Sequence, residues 1–149
     1  CGRRGCWESL AGPRAVVRYI QTTIQNGADS LIRKLAKDGL ENISFDQVVQ
    51  AAEAGDTVAL DALHNVARLL GIGIANLVNA FNPDLVVLGG ALALASKILA
   101  PVIEVTVQEN ALKQPQETLK ITTSAHGSEA CVVGAVALVL DDILRYPFP

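Results

Sequence analysis

Residues 56–90 constrain the fold more than any other stretch. Between Asp56 and Phe81, Leu63, Val66, Ala67, Leu70, Ile74, Leu77, Val78 and Phe81 recur at three- and four-residue intervals, the period of a helix with an apolar face. From Leu69 onward its only strongly polar side chains are Asn76 and Asn79, so this half is expected to lie buried at the centre of the fold. Asn82-Pro83-Asp84 then breaks the helix. Leu85-Val86-Val87-Leu88 is short and wholly apolar, which suits a strand covered on both faces. Gly89-Gly90 follows, and then Ala91-Leu92-Ala93-Leu94, a sequence like the turn of an α/β unit in which backbone passes close to a ligand or a neighbouring element.

The flanking stretches read as mostly helical. Trp7 to about Gln25 is a helix interrupted near Gly12-Pro13, burying Val16, Val17 and Ile20 and ended by Asn26-Gly27. A short helix from about Ser30 to Asp38 is expected to close on Gly39 in the left-handed conformation, with Leu40 touching Leu35. Ser44-Phe45-Asp46-Gln47 matches a capping box, with Ile43 and Val48 spaced as its hydrophobic staple, and this helix ends at Gly55. His64 reads as a surface or capping histidine. Ser96 to about Ala111 is helical, with Pro101 placed in the first turn of its main segment. Leu119 to Thr123 alternates as a strand, Ser124 to Gly127 forms a loop, and a last helix runs from Ser128 as cap to about Arg145. Helices that connect the two strands favour parallel pairing, so the fold class is α/β.

At 149 residues the chain fits one domain with a proper core. Half its residues are apolar but only 4% are aromatic, so that core is built from Ala, Leu, Val and Ile. Part of the apolar surface is expected to face a further segment or a second copy of the chain. A net charge of −3 with scattered Lys and Arg gives no footprint for a phosphate backbone, so this segment is not expected to bind DNA. No unbroken apolar run reaches the roughly 18 residues that cross a bilayer, and no signal peptide opens the chain. A soluble cytoplasmic protein is expected. Cys131, within an apolar stretch, is expected to be a buried reduced thiol.

The first eight residues, Cys1-Gly2-Arg3-Arg4-Gly5-Cys6-Trp7-Glu8, hold two cysteines in a glycine-containing loop that can turn both thiolates toward one ion. Two ligands do not close a structural zinc site, so the other pair must come from upstream sequence, from a symmetry partner, or not at all. A local disulfide or two ordinary thiols are the alternatives. The chain begins with cysteine and contains no methionine, which is the expectation for a fragment.

Three stretches together resemble one family. Cys1 to Glu8 is similar to the end of the Cys-x-Cys-Gly-x-x-Gly-Cys-x-Glu signature of the ROK family of sugar-responsive repressors and sugar kinases, without its initial cysteine. Ala75 to Gly90 resembles the family's helix, strand and glycine turn, and His126 to Ala135 its last loop and helix. The resemblance implies an actin-like fold with ribonuclease H-like lobes, of which residues 1–149 would form a helix-rich part of the C-terminal lobe with a small, largely parallel sheet. It implies zinc ligands at Cys1 and Cys6, a truncated zinc loop at 1–8, and a sugar-contacting carboxylate at Glu8. In kinase members Gly89 and Gly90 would approach the nucleotide, with ATP and magnesium as cofactors; in repressor members that site can be degenerate. The Trp7-Glu8 pair and the tail Val139 to Arg145 look more like repressors. The family's phosphate-binding turn, its catalytic aspartate and its zinc-binding histidine match nothing here. The chain alone is therefore expected neither to phosphorylate sugars nor to bind DNA, and to hold zinc poorly. The parent is expected to be a homo-oligomer that binds a sugar and reaches DNA only through a separate N-terminal domain.

Overall fold

Eight α-helices and one pair of parallel strands are laid out along the residues that the computed structural model describes, 5–36, 39–116 and 118–145. Helices α1 (Trp7–Ala11) and α2 (Pro13–Gln25) are split at Gly12, as the Gly-Pro pair predicts, with Pro13 where its missing N–H costs nothing. Helix α2 buries Val16, Ile20 and Ile24, one residue per turn. Helix α3 (Ile32–Leu35) is a single turn. Helix α4 (Phe45–Glu53) starts on the predicted capping box: the Gln47 N–H donates to Ser44 Oγ at 3.2 Å, and the Ser44 N–H donates to Gln47 Oε1 at 2.9 Å. Both residues of the predicted staple, Ile43 and Val48, are buried.

Helix α5 (Thr57–Phe81) is the element against which α1, α2, α4 and α6 (Ser96–Asn110) pack. Asp56 starts it with both carboxylate oxygens engaged. Oδ1 accepts from the Ala59 N–H at 2.8 Å, and Oδ2 accepts from the Leu31 N–H at 2.6 Å, so one buried side chain caps α5 and ties the α3 segment to it. Gly71 lets α6 approach closely, since a Cβ there would lie 2.5 Å from Thr106 Cβ. Asn79, polar within an apolar stretch, is explained by the chain after α6: its Oδ1 accepts from the Leu112 N–H at 2.8 Å. Asn82, left-handed at φ 46°, ends α5.

Strand β1 (Leu85–Leu88) pairs in parallel with β2 (Lys120–Thr123), Leu85 opposite Lys120 and Leu88 opposite Thr123. Helix α6 and the single-turn α7 (Lys113–Gln116) lie in the connection between them, as parallel pairing requires. Val86, Leu88 and Ile121 pack against the core from one face of the sheet. Helix α8 (Ala130–Arg145) follows a short 3-10 turn, Gly127–Glu129.

Several expectations are corrected. β1 is covered on one face only, leaving Leu85 and Val87 about half exposed. The distal half of α5 is not buried all round: α6 covers one side, while Ile72, Leu77 and Phe81 face outward. The helix expected at 30–38 covers only Ile32–Leu35. Gly39 has the positive φ expected, 96°, but with ψ 156° it lies outside the left-handed helical region and leads into a 3-10 turn at Leu40–Asn42 instead of closing a helix; Asp38 lies outside the described residues. The Schellman closures occur elsewhere, at Gly27 and Gly55. After α4 the Gly55 N–H donates to the Ala52 carbonyl at 3.0 Å and the Asp56 N–H to the Ala51 carbonyl at 2.9 Å. Pro101 sits in the second turn of α6, because the helix begins at Ser96 and a 3-10 turn at Ala91–Ala95 precedes it. Helix α8 starts at Ala130, not at Ser128, and it buries no residue; Cys131 is accordingly exposed. Helix α5 and the stretch 91–110 are each long and apolar enough on average to cross a bilayer, although no unbroken apolar run is; half of that stretch of α5 is buried within the fold.

Candidate functional site

The sequence motifs converge around α1. Cys6 precedes it in extended conformation, and its carbonyl accepts from both the Ser9 N–H (2.9 Å) and the Ser9 hydroxyl (2.6 Å), which fixes the first turn. Trp7 turns toward α5, where its indole Nε1–H donates to the Leu69 carbonyl at 2.9 Å and the ring lies over Gly73. Glu8, the next residue, is exposed, and its carboxylate accepts no hydrogen bond among the described residues. From α2, Arg18 donates to the Ser9 carbonyl at 2.8 Å and braces the end of α1.

Glu8 borders two open depressions. One, of about 620 Å³, is lined by Cys6, Glu8, Ser9, Arg14 and Arg18, among others. The other, of about 310 Å³, is lined by Trp7, Glu8, Gly12, Leu70, Gly89 and Leu92, among others, and so brings the first motif beside the glycine turn after β1. Residues separated by some eighty positions in sequence share this wall, which Leu70 of α5 also lines, and α1 packs on α5. An apolar cleft of about 240 Å³ adjoins it between α5, β1 and α6, again with Trp7 and Gly89 on its wall.

The two glycines differ. Gly90 has φ 73°, a conformation that other residues adopt at a cost, and its N–H donates to the Gly127 carbonyl at 3.2 Å, joining the loops that leave the two strands. Gly89 has no such backbone requirement. A Cβ there would meet Ala130 Cβ at 3.5 Å and Ser124 Cβ at 3.9 Å, ordinary contacts, so folding alone does not demand glycine at 89. The loops at the carboxyl ends of parallel strands are where α/β folds gather ligands.

For the expected zinc, Cys6 is half-buried and lines the larger depression, and Cys1 lies outside the described residues. Among the described residues no three His, Cys, Asp or Glu side chains come together, so these residues do not by themselves fit a tetrahedral zinc. The sequence reading missed the anchoring pair Trp7 and Gly73 and the brace from Arg18. A glycine within a helical pattern is the signal that something packs against it, but the pattern does not say what.

Comparison with known proteins places this arrangement. The family model described as "ROK family" matches residues 1–142. A putative xylose repressor from Caldicellulosiruptor sp. (strain Rt8B.4) is 33% identical over 147 residues, covering 99% of this chain and 36% of the relative. A crystal structure of a ROK family transcriptional regulator, a homologue of the E. coli MLC protein, superposes with a TM-score of 0.73 at 32% identity, covering 83% of this chain and 30% of that one. A ROK family glucokinase from Streptomyces griseus, solved in complex with glucose and AMPPNP, superposes at 0.79 with 26% identity, covering 93% of this chain and 45% of that one. The chain thus spans about a third of the length of the curated relatives it matches. Its helices and parallel strand pair form part of an actin-like fold. With the family's pattern matched along nearly its whole length, the chain belongs to the ROK family.

Proposed function

We propose that this chain is part of a sugar-responsive transcriptional repressor, and that it carries the carboxylate that recognises the effector sugar. The observation that carries this reading is its 33% identity, over 99% of the chain, to a protein described as a putative xylose repressor. The exposed Glu8, facing an open depression with no hydrogen-bond partner among the described residues, supports the assignment of the carboxylate. A carboxylate there can accept hydrogen bonds from two adjacent sugar hydroxyls. In this reading Cys1 and Cys6 belong to a zinc loop that ends two residues before Glu8, and the remaining zinc ligands come from other sequence. The protein works in the cytoplasm as a homo-oligomer, and a separate domain contacts DNA.

Sugar binding regulates DNA binding only if the sugar's affinity differs between the DNA-bound and free states. The test is a titration of D-xylose, D-glucose and N-acetyl-D-glucosamine into the complete protein, with and without operator DNA. A difference in affinity is expected, and by linkage the same factor must appear in the DNA affinity measured with and without sugar. Equal affinities in both conditions refute the reading.

A second reading has its own support. The likeness to the glucokinase covers 93% of this chain, and Gly89 is a glycine that folding does not demand, as a site of close nucleotide approach would leave it. In this reading the complete protein is an ATP-dependent sugar kinase that uses magnesium, with its catalytic base outside this chain. Sugar-dependent ATP turnover by the complete protein distinguishes the two: turnover establishes the kinase, and its absence together with coupled sugar and DNA binding establishes the repressor.

A further inference from the structure

We propose that Trp7 is a positioning residue for Glu8, with Gly73 of α5 as the seat for its indole. This rests on the reading of Glu8 as the sugar-contacting carboxylate. Helix α1 has five residues, too few to be stable or oriented by itself, so its rotation must be set by tertiary contacts. Glu8 is exposed, and its side chain makes no hydrogen bond among the described residues that would set it. Ala11 is buried at the far end of α1, and Arg18 holds the Ser9 carbonyl. Trp7 makes the anchor next to Glu8, and it is the largest.

The geometry of that anchor is specific. Leu69 and Gly73 are one turn apart on α5; the indole donates to the carbonyl of the first and lies over the α-carbon of the second. A Cβ at residue 73 would overlap ring atoms Cε2, Cζ2 and Nε1, so only glycine admits the ring in this position. Glycine inside a helix costs about 1 kcal/mol relative to alanine, and the indole seat gives a physical reason for it here. Successive helical side chains point about 100° apart. With Trp7 fixed on α5, Glu8 is turned to the wall of the depression that it shares with Gly89. The role of Trp7 is therefore to act through Glu8.

The test is a double-mutant cycle in the complete protein, with D-xylose, D-glucose and N-acetyl-D-glucosamine as probes and calorimetric titration as the readout. Glu8→Gln and Trp7→Leu are each expected to weaken binding roughly 10- to 100-fold, the scale on which misplacing a recognition group by about 1 Å acts. The double variant should bind no worse than Glu8→Gln alone, because two residues that act as one unit are not additive. Gly73→Ala keeps both Trp7 and Glu8 in the sequence but evicts the indole from its seat. The emission component lost in Trp7→Phe should then shift to longer wavelength, with a matching loss of affinity, and this variant serves if Trp7→Leu does not fold. Losses that add in the double variant overturn the proposal, as does a Gly73→Ala protein whose Trp7 emission shifts while its affinity is unchanged. Wild-type affinity in Glu8→Gln instead overturns the assignment of Glu8 itself. A wild-type protein that binds none of the three sugars overturns both.

Discussion

Replacing glycine by alanine at two helical positions should move stability in opposite directions. Alanine favours a helix over glycine by about 1 kcal/mol. At Gly134 in α8 no atom of the described residues lies within 4 Å of the new Cβ, so Gly134→Ala should stabilise the chain by about 0.5–1 kcal/mol. At Gly71 in α5 the same atom would lie 2.5 Å from Thr106 Cβ, 2.9 Å from Thr106 Cγ2 and 3.2 Å from the Ile103 carbonyl oxygen. The Thr106 Cβ and the carbonyl are fixed by the α6 backbone, so no side-chain rotation relieves them, and the Thr106 hydroxyl is already committed to the Val102 carbonyl at 2.7 Å. Restoring ordinary contact means separating α5 from α6 by about 1 Å. That separation loosens the packing around Leu99, Ile103 and Val107, each at most 2% exposed. Overpacking of this kind costs up to about 3 kcal/mol, and with the helix-propensity gain subtracted the net loss is about 2 kcal/mol. Urea unfolding followed by circular dichroism should show the Gly71→Ala midpoint lowered by roughly 1 M, for a slope of about 2 kcal/mol/M, and the Gly134→Ala midpoint slightly raised. A Gly71→Ala midpoint at or above wild type would refute the close approach of α5 and α6.

Asp56→Ala removes two acceptors at once, the cap of α5 and the tie to Leu31, and should cost about 2–3 kcal/mol in thermal unfolding, with Asp56→Asn recovering part of it. Ser44→Ala should cost about 1 kcal/mol by opening the capping box of α4, measured in the same way. Leu63→Ala and Leu138→Ala should separate widely. Leu63 is fully buried and its truncation should cost about 2–5 kcal/mol, whereas Leu138 is 74% exposed and its truncation should stay within about 0.5 kcal/mol in chemical denaturation of this chain.

Local signals carried far in this chain because they are decided by neighbouring residues. The Gly12-Pro13 break, the Ser44 box, the Asn82-Pro83-Asp84 stop and the two short strands all appear where the sequence puts them, each set by backbone chemistry within a few positions. The ROK signature in residues 1–8, 75–90 and 126–135 was equally legible, and so was Glu8 as the candidate carboxylate. Burial was less so, since an apolar side chain declares what it could face and not what does face it. Val87 and Leu138 are as apolar as Val86 and Leu63, yet the first pair is exposed and the second packs on the core. The Gly39 closure failed for a related reason: a glycine after a short helical pattern can take a positive φ either as a left-handed helix cap or, with a large ψ, in a turn, and contacts from elsewhere decide. Sequence by itself thus determined most of the helices, the two strands and the family, and it made Glu8 a candidate for the sugar-contacting carboxylate. Only the tertiary structure decided that Trp7 would reach across to Leu69 and Gly73, and that Glu8 and Gly89 would share one wall. Helical periodicity says which residues lie on a face, but the contact between two faces depends on how closely the backbones approach, and that is fixed by the packing of both helices together.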